Sequence, residues 1–251
     1  MEAYPFTAEQ LYDEIFYRSA DFLLLDVRNN EEFEKFVIEG PYLNALLNVP
    51  YFEFLEFEAE SIQKIPAGNK LKIVCSKEGS AKYVSDILLN SGFDDVGYLT
   101  GGIGTWADLL KPVIIEENDR FTLYQFIRPG KASCSYGLVC GQACSIFDPA
   151  RMVDAYLSFA AEKNVKITEI FETHLQADYI SGSRNLSKDL GVEIIANEAD
   201  FGIATFNYHK VMDGEIFNPN GGKVEVKAIY TPGHTPGSTS YLIDNRFLIS
   251  G

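Results

Sequence analysis

Two short, largely apolar runs, 22–27 and 71–75, each holding a single charged residue (Asp26 and Lys72), constrain this chain more than any other feature in it. Neither is long enough for a buried helix, and neither alternates with polar residues as a strand with one wet face does. Such runs are strands covered on both faces. Around them the period becomes helical. Thr7 with Gln10 three residues on makes a capping-box start, and Leu11, Ile15 and Phe16 continue it as an apolar stripe. Residues 30–36 and 54–64 read as helices on either side of a short strand at 47–49. Residues 80–91 read as a helix with Val84, Ile87 and Leu88 on one face and Gly92 as its cap. Residues 96–99 form a further strand and 105–110 a last helical turn or two. Strands alternating with helices predict an α/β fold, a parallel sheet with helices on both faces.

The texture shifts after residue 112. Residues 113–120 read as a linker between a domain at 1–112 and a second at 121–251. Strands are expected at 121–127, 136–140 and 143–147, the last two joined by a Gly141-Gln142 turn. A helix over 151–164 carries Val153, Tyr156, Leu157, Ala160 and Ala161 at helical spacing. A strand at 165–173, a helix at 182–190, a strand at 192–196 and strands near 210–217, 223–231, 238–243 and 246–250 follow. Charge divides at the same place: residues 1–120 hold 10 basic and 22 acidic side chains, residues 121–251 hold 11 and 14. The net charge of −15 argues against nucleic acid as a partner, since that binding draws on clustered Lys and Arg. No basic-then-apolar leader opens the chain and no apolar run spans a bilayer, so a cytoplasmic protein without a membrane partner is expected. Four cysteines are too few for a disulfide framework in 251 residues, and each is read as a thiol.

Cys75 ends the second buried run, and Ser76, Lys77, Glu78, Gly79 and Ser80 lead from it into a helix. Backbone N–H groups and the positive end of the helix dipole then face the sulfur, which favours thiolate and suits an anionic persulfide. By itself the position fits a buried structural thiol equally well. Two further stretches accompany it, Asp26-Val27-Arg28 and Gly101-Gly102-Ile103-Gly104-Thr105-Trp106. In this order and spacing, the three together resemble the rhodanese family over residues 20–110. The resemblance implies that Cys75 accepts a sulfane sulfur as Cys–S–SH and passes it to a thiol acceptor. Many rhodaneses carry Arg where Ser80 stands and no acid at Glu78, so a low-molecular-weight persulfide is the expected donor rather than dianionic thiosulfate. Lys77 and Lys82 are expected to offset part of the difference. Arg28 is expected in a structural salt bridge and Trp106 in the core.

The second half is read from its histidines, of which the whole chain has three. His174 follows the β-branched run that ends at Phe171. His234 sits in Thr231-Pro232-Gly233-His234-Thr235-Pro236-Gly237, where Pro and Gly fix a tight loop after another strand. Two histidines at strand ends suggest a shared metal site, whereas His209 lacks such flanks and is expected to be structural. With Phe147-Asp148-Pro149 and Ser181-Gly182, these stretches resemble the metallo-β-lactamase superfamily, and within it the persulfide dioxygenase-like branch. The superfamily pattern is His-x-His-x-Asp-His; this chain has His174, Gln176, Asp178 and Tyr179. A carboxamide and a protonated phenol are poor ligands for a hydroxide-activating zinc pair. The branch implies instead one Fe(II) held by two histidines and a carboxylate. His174 and His234 match. The carboxylate is expected just after Gly251, so the sandwich of this family is expected to be truncated here, with Asp178 beside the ligands rather than on the metal. Cys134, Cys140 and Cys144 read as small core residues.

Together the resemblances imply sulfane-sulfur metabolism: sulfur transfer through Cys75 coupled to oxidation of a persulfide at a mononuclear iron. Two other readings stay open, a glyoxalase II-like zinc thioester hydrolase and a non-catalytic persulfide-binding protein with a decayed metal site. The expected small-molecule partner is a low-molecular-weight thiol or persulfide, and an uncovered edge strand points to a homodimer.

Overall fold

The computed structural model describes residues 2–18, 20–131, 133–176, 180–222 and 224–251. The chain forms two compact units, one running to Leu109 and including Pro129–Lys131, the other comprising the rest.

The first unit runs β1 (Tyr4–Phe6), α1 (Ala8–Tyr17), β2 (Leu23–Asp26), α2 (Asn30–Lys35), β3 (Leu46–Asn48), α3 (Tyr51–Glu56), α4 (Glu58–Gln63), β4 (Leu71–Val74), α5 (Glu78–Asn90), β5 (Val96–Leu99) and α6 (Ile103–Ala107). Its strands are parallel in the order β1-β5-β4-β2-β3. Side chains alternate across β2. Leu23 and Leu25 join Phe54, Ile73, Val84 and Leu88, while Leu24 joins Leu11, Ile15, Val74 and Trp106 on the opposite face. Both faces are covered by helices, which is why the strand reads as a largely apolar run; each buried leucine contributes about 1.5–3 kcal/mol. The capping box of α1 is formed, with Thr7 Oγ1 accepting from Gln10 N at 3.2 Å and Gln10 Oε1 from Thr7 N at 2.9 Å. The helix expected over 54–64 is two helices, because Phe57 leaves helical geometry at φ −138°, ψ 57°.

The second unit opens with β6 (Lys111–Glu117), which corrects the linker expected at 113–120. Its β-branched Val113-Ile114-Ile115 stretch pairs antiparallel with β7 (Thr122–Arg128). The Asn118 side chain closes the turn by accepting from Arg120 N at 2.9 Å and Phe121 N at 3.1 Å. Then come β8 (Ser133–Cys140), β9 (Ala143–Phe147), α7 (Val153–Glu162), β10 (Lys166–Phe171), α8 (Ser183–Leu190), β11 (Ile194–Ala196), α9 (Glu198–Phe201) and β12 (His209–Lys210). These strands make a seven-stranded sheet ordered β12-β11-β10-β9-β8-β7-β6. A second, antiparallel sheet holds β13 (Ile216–Phe217), β14 (Val226–Tyr230), β15 (Thr239–Ile243) and β16 (Phe247–Ile249).

The two sheets share a core in which Phe147 and Phe171 meet Val226, Tyr241 and Ile243. The other face of the seven-stranded sheet packs Phe126, Ile146 and Ile170 against Tyr156, Phe159 and Leu186 of the helices. Cys140 and Cys144 belong to these two different cores, so they flank the Gly141-Gln142 hairpin without facing each other, and burial pushes their thiols up to about 11 and about 12. Cys134, expected in a core, is exposed, because its side chain lines an open cavity rather than the packed core. Among the described residues no helix is long and apolar enough to cross a membrane.

Candidate functional site

Cys75 lies one residue past β4 and is 6% exposed. Its thiol donates to Val27 O at 3.9 Å, and the Lys77 and Ser76 amides and the Ser80 hydroxyl, the donors that the loop was expected to supply, act to lower its pKa. They do not decide its protonation. Burial pushes the thiol above its ordinary range and outweighs them, with the Asp26 charge adding to the rise. The expected thiolate is therefore corrected to a resting thiol held among groups that would stabilise its anion.

The loop is braced on several sides. Cys75 O accepts from Ile103 N at 2.8 Å, Ser76 Oγ donates to Glu32 Oε1 at 3.0 Å, and Glu78 Oε2 accepts from Gly101 N at 2.7 Å. Gly102 stands at φ +73°, and a Cβ there would lie 2.6 Å from Ser76 O. The Gly101-Gly102 pair is thus the backbone wall of the Cys75 loop. Lys82, expected to offset the acidity of Glu78, pairs with Asp86 at 3.1 Å. Arg28 is buried and grips Asp26 through Nε and Nη2, while donating to the Glu32 and Phe36 carbonyls at 3.2 and 2.6 Å. The pair is internal scaffolding, as expected, and Trp106 is buried in the core.

In the second unit His174 follows β10 and His234 lies in the loop between β14 and β15. Their rings meet edge to face with centroids 5.0 Å apart. Both line a cavity of about 570 Å³ whose wall includes Cys134, Tyr136, Asp148, Gln176, Ser238 and Gly251. Asp148 comes directly after β9 in the left-handed region, at φ 49°, a conformation that Asp tolerates better than most residues. Its carboxylate accepts from Thr173 N at 2.8 Å and from the Thr173 hydroxyl at 2.9 Å, and the Thr173 oxygen lies 2.8 Å from His174 Nδ1. With the hydroxyl hydrogen directed to Asp148, this chain of bonds assigns the proton of His174 to Nδ1 and leaves Nε2 with its lone pair. Burial raises the Asp148 carboxyl despite the Thr173 donors. Glu172, buried and bonded by the Ser181 and Ser183 hydroxyls, is pushed up to about 8, first by burial and then by the Asp148 charge.

Two imidazoles on one cavity, one of them oriented from behind, are a donor set that suits Fe(II) or Zn(II). Among the described residues no three His, Cys, Asp or Glu side chains converge on one point. Asp178 and Tyr179 lie outside the described residues. Gly251 stands against His174, where a Cβ would lie 2.8 Å from Nδ1. His209 faces Glu215 Oε1 at 2.6 Å, a local pair consistent with a structural role. Reasoning from the sequence quoted Asp148 as part of a motif but gave it no role, and gave none to Thr173; the signal for Asp148 was an Asp immediately after a fully buried strand.

Residues 7–109 match the rhodanese-like domain family. The chain is also similar to two hydroxyacylglutathione hydrolases. That of Prochlorococcus marinus is 33% identical over 112 residues, covering 42% of this chain and 43% of the relative. That of Rhizobium etli is 38% identical over 98 residues, covering 38% and 36%. The chain thus spans less than half the length of these relatives. Among solved structures, a metallo-β-lactamase from Staphylococcus aureus is 29% identical with a TM-score of 0.49, over 53% of this chain and 43% of that one. ETHE1 from Myxococcus xanthus is 24% identical with a TM-score of 0.46, over 51% and 56%.

Proposed function

We propose that this chain serves sulfane-sulfur metabolism, with Cys75 as a persulfide carrier. The Cys75 pocket carries the reading: a buried cysteine one residue past β4, at the entry to α5 and backed by the Gly101-Gly102 wall, lies inside the stretch that matches the rhodanese-like family. In the transfer, the Cys75 thiolate attacks the outer sulfur of R–S–SH. The S–S bond breaks, the thiol R–SH leaves after taking up a proton, and Cys75 carries the persulfide. A thiolate or cyanide then attacks that outer sulfur and Cys75 leaves as thiolate, so no outside oxidant is needed. The expected donor is a low-molecular-weight persulfide.

His174 and His234 are read as two ligands of one Fe(II) in a two-histidine-one-carboxylate set. When bound, the iron supplies the place where O2 meets a persulfide in the overall conversion R–S–SH + O2 + H2O to R–SH + H2SO3. Asp148 and Thr173 keep His174 in the ligating tautomer.

Transfer from glutathione persulfide to cyanide, measured as thiocyanate, is expected for the unaltered chain and absent from Cys75→Ala. Transfer that survives the substitution overturns the carrier role. The likeness to hydroxyacylglutathione hydrolases favours a second reading, a zinc thioester hydrolase. Metal analysis separates the two: a single iron supports persulfide oxidation, a zinc pair the hydrolase.

A further inference from the structure

We infer that Asp200 sets the spacing of the two histidines and is a positioning residue for the metal site; this rests on reading His174 and His234 as ligands. Asp200 lies on the single-turn helix α9. Its Oδ2 accepts from Leu175 N at 2.9 Å and from the Thr235 hydroxyl at 2.6 Å, and its Oδ1 accepts from Gly237 N at 2.7 Å. Leu175 directly follows His174, and Thr235 directly follows His234. One carboxylate therefore ties the two loops together at the residue after each ligand.

The two loops issue from different sheets, so strand register does not hold them together. A backbone bond from Thr239 N to Thr173 O, 2.8 Å long, joins their bases, and Asp200 joins the parts beyond. Three donors converge on it, which suits a carboxylate, since it only accepts; an amide would turn N–H groups toward one of those donors. The neighbouring loop is built for its approach. A Cβ on Gly237 would stand 2.6 Å from Asp200 Cγ, so the glycine after Pro236 makes room for the clamp. The helix that carries Asp200 is itself anchored. Asn197 Oδ1 accepts from Ala199 N at 3.0 Å, Asn197 Nδ2 donates to Thr239 Oγ1 at 3.2 Å, and Phe201 is buried beside Ile194 and Ala196. Loops already tied need not be gathered when a metal arrives, and that preorganisation raises affinity.

The test uses the full chain carrying Asp200→Ala or Asp200→Asn, with Leu186→Ala as a control that loosens the opposite face of the seven-stranded sheet. The metal-free proteins are examined by NMR for the nuclear Overhauser contact between the His174 and His234 rings. Zn(II) affinity is measured by competition with a chromogenic chelator. The ring contact is expected in the unaltered chain and in Leu186→Ala, and is expected to vanish from both Asp200 variants. Zn(II) affinity should fall about 10–100-fold in those variants and stay within about twofold in Leu186→Ala. Asp200 variants that keep ring contact and affinity overturn the proposal, as does a Leu186→Ala chain that loses as much. An unaltered chain that shows the ring contact but binds neither Zn(II) nor Fe(II) overturns the metal reading instead, and the ring contact alone then decides whether Asp200 holds the pair.

Discussion

The Asp148 carboxylate holds Thr173 twice, taking its amide hydrogen at 2.8 Å and its hydroxyl hydrogen at 2.9 Å. Through that grip, a residue at the end of β9 orients the imidazole at the end of β10. Thr173→Val keeps the shape and the amide bond but removes the hydroxyl. Zn(II) affinity in a chelator competition is expected to drop about 10–100-fold. The metal-free fold should lose about 1–3 kcal/mol, because a buried carboxylate loses a donor. Unchanged affinity would detach Thr173 from the metal site.

Cys75 should react as a hindered thiol rather than as a ready thiolate. Burial raises its folded-state value above the ordinary 9.0, so less of the nucleophile is present at neutral pH than in a free cysteine. Alkylation by iodoacetamide, followed by mass spectrometry, is expected to lag behind a small thiol at pH 7 and to climb at more alkaline pH. The linkage has a matching sign: this thiol's contribution to stability is present below its unfolded value and is lost as pH rises through the higher folded value. Labelling at pH 7 as fast as that of a free thiol would contradict the burial argument.

Gly102→Ala strikes the same loop through its backbone. The residue sits at φ +73°, and the added Cβ would meet Ser76 O at 2.6 Å, so the loop or the start of α6 must shift. A strain of about 1–3 kcal/mol is expected in the melting of the first unit. Sulfur transfer should fall further than that strain alone predicts, since the donors around Cys75 move with the loop. Gly104→Ala is the control: nothing lies within 4 Å of its Cβ position, and transfer should be retained.

Legibility followed range. The buried runs at β2 and β4, the capping box of α1 and the Cys75 loop could be read because each is a local pattern. His174 and His234 could be paired because Pro and Gly around one, and a strand end before the other, mark rigid loops. Asp148 bonds Thr173 across 25 positions and Asp200 bonds Gly237 across 37, and no local period announces such contacts. The strand β6 was hidden for a different reason. It begins Lys-Pro and ends in acidic residues, so its β-branched centre is framed by residues typical of a connector. The thiolate expected at Cys75 failed on magnitude, because the donors were legible and the depth of burial was not.

Glu78 offers a test of donor choice at Cys75. Its carboxylate is exposed and its Oε2 accepts from Gly101 N at 2.7 Å, so Glu78→Gln removes the charge while an amide oxygen still takes that bond. A dianion such as thiosulfate feels the lost repulsion more strongly than a singly charged persulfide. The ratio of kcat/KM for thiosulfate to that for glutathione persulfide is expected to rise about two- to fivefold at low salt and to return toward its starting value at high ionic strength, where exposed charges are screened. Steady-state rates of thiocyanate formation with each donor, at low and high salt, measure it. A ratio that does not move at either salt concentration would mean that the shape of the loop, rather than its acidity, selects the donor.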